Sequence, residues 1–161
     1  MAATLLSLTR QLPIVEVDAG HVLLSEGERS GLLYVLADGQ VEILKGDVQI
    51  ELVTGPGALF GEIAALLDTA HMATVKAVTP TRLVRIEDAA RFLRENPALA
   101  TEVARLLAER LTNVVGYLAD IKRQFAGRDH LGMVDEVLES LVHQQRQAFT
   151  PGSNREPDPA I

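Results

Sequence analysis

No cysteine occurs among the 161 residues. Disulfides and thiolate zinc sites are therefore excluded, and a reducing, cytoplasmic setting is expected. Tryptophan is absent and aromatics make up 4% of the chain, too few for a base-stacking platform. Basic residues are the minority: 15 Lys and Arg oppose 22 Asp and Glu, for a formal net charge of −7, and no run of five basics occurs. Proteins that hold a nucleic-acid backbone present a basic face, so no nucleic-acid binding is expected of this chain alone. No apolar run approaches the roughly 20 residues of a membrane span. The start, Met1 to Arg10, has a short apolar stretch without a basic segment before it, which is not the pattern of a signal peptide. There is no Gly-x-Ser-x-Gly, no His-Glu-x-x-His, no Walker loop and no thiol nucleophile, so no enzyme and no catalytic residue is expected. His21, His130 and His143 lack ligand spacing, and no metal is expected.

What is present is a chain that is 47% hydrophobic and long enough to bury about two-thirds of its unfolded surface. Leu5, Leu6, Leu8 and Leu12 line one face of an N-terminal helix within residues 1–13, which Pro13 ends. From residue 14 to about 87 the pattern is β-rich, within a barrel domain expected over residues 14–97. Short runs at Ile14–Val17, Val22–Leu24, Leu33–Leu36, Val41–Leu44, Val48–Val53, Ala73–Val78 and Leu83–Ile86 are punctuated by glycines, with hairpin dipeptides at Asp38-Gly39 and Gly46-Asp47. About eight short strands at this spacing predict a mainly β protein with α-helices: an antiparallel β-barrel or jelly roll followed by long C-terminal helices.

After Glu87 the character turns helical. Phe92, Leu93 and Pro97 mark a short helix and a break, with Asn96 placed to cap the next helix. That long helix is predicted over residues 98–126, interrupted in propensity by Gly116. Within it Ala104, Leu107, Leu111, Val114, Leu118, Ile121 and Phe125 are spaced 3, 4, 3, 4, 3, 4, a heptad seam. The first turns of this stripe are expected to pack on the barrel. The rest, Leu107 to Phe125, is expected to form a homodimer seam, because a helix of about 40 Å outruns a small barrel. Past Gly127 a second amphipathic helix is predicted over residues 128–148, with Leu131, Val134, Leu138 and Leu141 on one side. Residues 149–161 carry three prolines and no periodicity, the composition of a disordered tail.

One ordered set of residues is more specific. Gly20-His21-Val22-Leu23, Glu26-Gly27, Tyr34-Val35-Leu36, Gly39-Gln40-Val41, Gly57, Phe60-Gly61-Glu62 and Ala73-Thr74-Val75-Lys76-Ala77 resemble the cyclic-nucleotide-binding domain family over about residues 10–125. The resemblance implies a ligand cassette. In it a glycine lets the backbone approach the ligand, a glutamate accepts from a ribose hydroxyl, a short helix offers its N-terminus to an anion, and an arginine pairs with the cyclic phosphate. By position the ligand-binding candidates are Phe60, Gly61, Glu62, Ile63, Ala64, His71, Met72, Ala73 and Thr74.

The sequence departs from the family at its arginine, where His71 stands. A lost charge-assisted bond of about 1.5–3 kcal/mol weakens phosphate binding roughly 10- to 150-fold. Regulators of the family that bind cyclic AMP place small polar residues three and four positions past an Arg-Leu pair. After Arg110-Leu111 those positions are Val114 and Val115, which can cover a base but cannot bond it. The resemblance thus implies a non-catalytic regulatory module with no cofactor. Its ligand would be cyclic AMP, another cyclic nucleotide or a related small anion, held weakly, and it would signal through its C-terminal helices as a homodimer and through a protein partner. The helix from Asp129 resembles the linker to a DNA-binding domain, and no recognition helix is present, so either this sequence is part of a longer protein or the protein works through a partner. The alternative is a ligand-free dimerisation scaffold, in which Glu62 serves its own helix and His71 is an exposed loop residue.

Overall fold

The computed structural model describes residues 2–126 and 132–142. A helix α1 (Ala2–Leu8) precedes strands β1 (Ile14–Val17), β2 (Val22–Leu24), β3 (Leu33–Asp38), β4 (Val41–Lys45), β5 (Val48–Val53) and β6 (Leu59–Phe60). Helix α2 (Glu62–Leu67), strands β7 (Thr74–Ala77) and β8 (Thr81–Ile86), and helices α3 (Ala89–Glu95), α4 (Pro97–Gln124) and α5 (Gly132–Val142) complete the order. The strands form two four-stranded sheets, ordered β1-β8-β3-β6 and β2-β7-β4-β5, with every pairing antiparallel. This is the expected jelly roll.

The core collects Leu23, Leu24, Tyr34, Leu36, Val41, Phe60, Val75 and Leu83, contributed by strands of both sheets. β8 shows why the pattern works: Leu83, Val84 and Ile86 are buried, while Arg82 and Arg85 point to solvent. β3 lies between β8 and β6 and is packed by α1. Leu33, Tyr34, Val35 and Leu36 are all buried, which is why this strand reads as a continuous apolar run rather than an alternating one. Each such side chain contributes about 1.5–3 kcal/mol on burial.

The structure departs from the sequence reading in four places. Helix α1 ends at Leu8, well before Pro13. The Thr9 hydroxyl donates to Leu5 O at 2.9 Å, and a side chain that satisfies the last carbonyls this way competes with the continuing helix. Leu5 is buried, but Leu8 is exposed. β6 is a strand that the sequence does not signal. It is two residues long, too short to alternate, and is defined by pairing with β3 through Tyr34↔Phe60 and Val35↔Leu59. Asn96 stands at the N-cap position of α4, its carbonyl accepting from Ala100 N at 3.0 Å, but its side-chain amide turns back to donate to Phe92 O at 2.8 Å and so closes α3. The residues of α4 that pack in the core are Leu99 and Val103, whereas Ala104 is exposed.

The contacts divide the chain into two units, one ending at Leu106 and one beginning at Leu107. In the second unit Leu107, Leu118 and Ile121 are half-buried, and Leu111, Val114 and Phe125 remain 45%, 48% and 42% exposed. Val134, Leu138 and Leu141 of α5 are half-buried, and Lys122 pairs with Asp135. Leu131, Gly127, His130, His143 and the tail lie outside the described residues. Among the described residues, no helix is long and apolar enough to cross a membrane.

Candidate functional site

The chain leaves β6 and turns sharply at Gly61, which has φ +96° and precedes α2. A Cβ at this position would lie 2.3 Å from Leu32 O. No side chain fits there, and the left-handed backbone favours glycine independently. Two separate constraints therefore fix the residue at which the expected ligand approach begins.

Glu62 comes next and is buried, 4% exposed. Ile63, Ala64 and Ala65 make the first turn of α2 and are half-buried. The helix ends at Asp68, itself left-handed, whose N–H donates to Ala64 O. Asp68 also pairs with Arg29 at 3.2 Å, but both side chains are largely exposed, and such a pair contributes little.

His71 is not the exposed loop residue of the scaffold reading. It is 6% exposed. Its Nε2 lies 2.7 Å from Ser30 Oγ, and its backbone bonds Glu28 O at 2.9 Å and Gly27 N at 2.8 Å. Burial pushes the imidazole pKa below its ordinary value, and the Glu28 carboxylate opposes that shift. The neutral ring is therefore favoured. Ser30 Oγ also accepts from Leu32 N at 3.2 Å. Position 71 is thus tied through Ser30 and Leu32 to the carbonyl that faces Gly61.

The neighbouring positions differ. Met72 is 59% exposed, and its carbonyl accepts from Lys45 Nζ at 2.8 Å. Ala73 is buried. Thr74 is half-buried, and its hydroxyl accepts from Glu26 N at 3.1 Å. Lys45 also pairs with Glu26 at 2.7 Å. That contact and the Gly46 N–H, which donates to the same carboxylate, lower the Glu26 pKa.

Gly61, Ala64 and His71 are brought together around a cavity of about 100 Å³ that Ser30, Ala65 and Thr69 also line. Pockets for drug-sized ligands run from about 300 Å³, so this cavity alone does not hold a nucleotide. Phe60 packs in the core instead. A cavity of about 220 Å³ lies against Leu12, Arg85 and Phe92 and contains none of the candidate residues. Val114 is exposed and Val115 half-buried, both in the second unit. Sequence reasoning missed Ser30, quoted Glu26 only as part of the resemblance, and missed Lys45. Their partners lie 41, 48 and 27 residues away, and no local signal connects them. Among the described residues, no group of His, Asp and Glu could hold a metal ion.

Residues 14–95, just over half of the chain, match the model described as cyclic nucleotide-binding domain. A CRP-like cAMP-activated global transcriptional regulator of Mycobacterium tuberculosis is 30% identical over 121 residues, covering 71% of this chain and 54% of that protein. The chain thus spans about half the length of the curated relative it matches. A solved structure from a study of a cyclic-GMP-dependent signalling pathway in bacterial phytopathogenesis is 26% identical, with a TM-score of 0.58, and covers 70% of this chain and 94% of that one. The catabolite activator protein of Thermus thermophilus shares the fold: its TM-score is 0.57 at 24% identity, covering 88% of this chain and 80% of that one.

Proposed function

The chain belongs to the cyclic nucleotide-binding domain family, and we propose that within it this chain is a non-catalytic regulatory module whose barrel binds a cyclic nucleotide or a related small anion weakly. Binding is read out through the C-terminal helices of a homodimer. The observation that carries the reading is Gly61, left-handed and closed against Leu32 O, with the buried Glu62 directly after it. This turn supports the reading of a ligand cassette, since it puts a bare backbone and a buried carboxylate at the start of α2. Weakness results from position 71, where a neutral ring bonded to Ser30 replaces a guanidinium. Exposure of Leu111, Val114 and Tyr117 on α4 supports the dimer, since an apolar stripe of this kind is normally covered.

The test is a thermal-shift screen with cyclic AMP, cyclic GMP, cyclic dinucleotides and inorganic phosphate, then calorimetry. Ligand at 100 times its Kd stabilises the fold by about 2.7 kcal/mol, a shift of several degrees. A screen in which no nucleotide stabilises the protein at millimolar concentration refutes the sensor reading. It would favour the ligand-free scaffold, which the small size of the cavity beside His71 also favours.

A further inference from the structure

If position 71 supplies no charge, an anionic ligand lying against residues 71–74 needs a cation from elsewhere, and the sheet provides one. β7 is flanked by β2 on one side and β4 on the other. Glu26 lies just past β2 and Lys45 ends β4. The two side chains meet at 2.7 Å, and Lys45 Nζ donates to Met72 O at 2.8 Å. The ammonium therefore sits at the start of β7, beside the residue that comes after His71. Along β4 Val41 is buried and Ile43 packs against the core. Lys45 ends this strand, past a register shift against β5 between Ile43 and Leu44, and is exposed.

The local hydrogen bonding leaves capacity for a ligand. A lysine ammonium has three donors. One goes to Glu26 and one to Met72 O, so the third has no protein partner among the described residues. The side chain is 57% exposed, against 31% for Glu26, so the cation can be reached. As a clasp alone, an exposed ion pair of this kind contributes only about 0–1 kcal/mol. Arg29, another cation near the cassette, lines the cavity beside Gly61 and His71 and pairs with Asp68 at 3.2 Å through exposed side chains.

We propose that Lys45 is the residue that pairs with the phosphate oxyanion of the ligand, in place of a cation at position 71, with Glu26 holding the ammonium in position and competing with the ligand for it. This rests on the reading of residues 71–74 as flanking the ligand. Calorimetry with cyclic AMP, cyclic GMP and inorganic phosphate on the parent, Lys45→Met, Glu26→Gln and Arg29→Gln tests it; the phosphate arm separates a nucleotide site from a bare anion site. Lys45→Met should weaken nucleotide binding about tenfold or more. Glu26→Gln should tighten it, and Arg29→Gln should leave it unchanged. Lys45→Arg should restore most of the loss. A purely structural clasp would make Lys45→Met and Glu26→Gln shift affinity in the same direction. That result, or nucleotide binding by Lys45→Met within twofold of the parent, overturns the proposal while the sensor reading stands. A parent that binds neither nucleotide nor phosphate overturns both.

Discussion

Gly61→Ala perturbs the cassette backbone in a way whose cost can be worked out from two terms. A non-glycine residue in the left-handed region costs about 1–2 kcal/mol. Its Cβ would also stand 2.3 Å from Leu32 O and 3.3 Å from a methyl of Leu24. The first neighbour is backbone in a packed wall and cannot swing aside, so overpacking adds about 1–3 kcal/mol. The sum, about 2–5 kcal/mol, is a large share of the 5–15 kcal/mol that holds a typical domain folded. Gly27→Ala is the internal control. Gly27 has φ +82°, but a Cβ there meets nothing within 4 Å, so it incurs the strain term alone. Urea unfolding of both variants, with unchanged slopes, separates the two contributions. Gly61→Ala should lie at least about 1 kcal/mol below Gly27→Ala. If the two unfold at the same midpoint, Gly61 is not pressed against Leu32, and the geometry assigned to the cassette is wrong.

Replacing both Leu111 and Leu118 with Asp puts charge into the apolar stripe of α4 and should convert a dimer to monomers in light scattering; an unmodified protein that is already monomeric at micromolar concentration refutes the seam. Gly116 lies off that stripe, and a Cβ there meets nothing within 4 Å, so Gly116→Ala should stabilise α4 by up to about 1 kcal/mol in a circular-dichroism melt. The His71 pKa is lowered below 6.5 in the folded protein, so the unfolded chain binds more protons between the two values. The stability His71 contributes is therefore complete above about pH 6.5 and is lost as pH falls through that value toward the folded pKa. Denaturant midpoints at pH 7.5 and 5.5 should show a drop that His71→Gln reduces; an equal drop in that variant refutes the assignment.

The fold was legible wherever a run of β-forming residues was bounded by turn residues on both sides. Ile14–Val17, Val22–Leu24 and Val48–Val53 could be read to the residue for that reason. β6 could not, because two residues have no period and its existence depends on Tyr34 and Val35 across the sheet. α4 shows a different limit. Leu99 and Val103 form one apolar stripe, and the heptad beginning at Ala104 forms another. Both have helical spacing, so sequence alone does not say which of them meets the barrel. Burial does: Val103 is 1% exposed, while the adjacent Ala104 is open. A stripe that packs on a sheet and a stripe that packs on another helix differ only in what lies opposite them.

The candidate site was legible as a list and not as a network. Gly61 could be named because it stands in Phe60-Gly61-Glu62, the part of the sequence that most resembles the family's cassette. His71 could be placed but not interpreted. An imidazole at that position looks like a weakened arginine until Ser30, 41 residues away, is found at 2.7 Å. The ring then has a second occupation. Ser30 Oγ receives the Leu32 N–H, and Leu32 O is the atom that excludes a side chain at Gly61. At 6% exposure, a guanidinium here would incur a desolvation penalty that a neutral imidazole avoids. The ring at 71 is thus joined, through Ser30 and Leu32, to the packing that shapes the turn at Gly61.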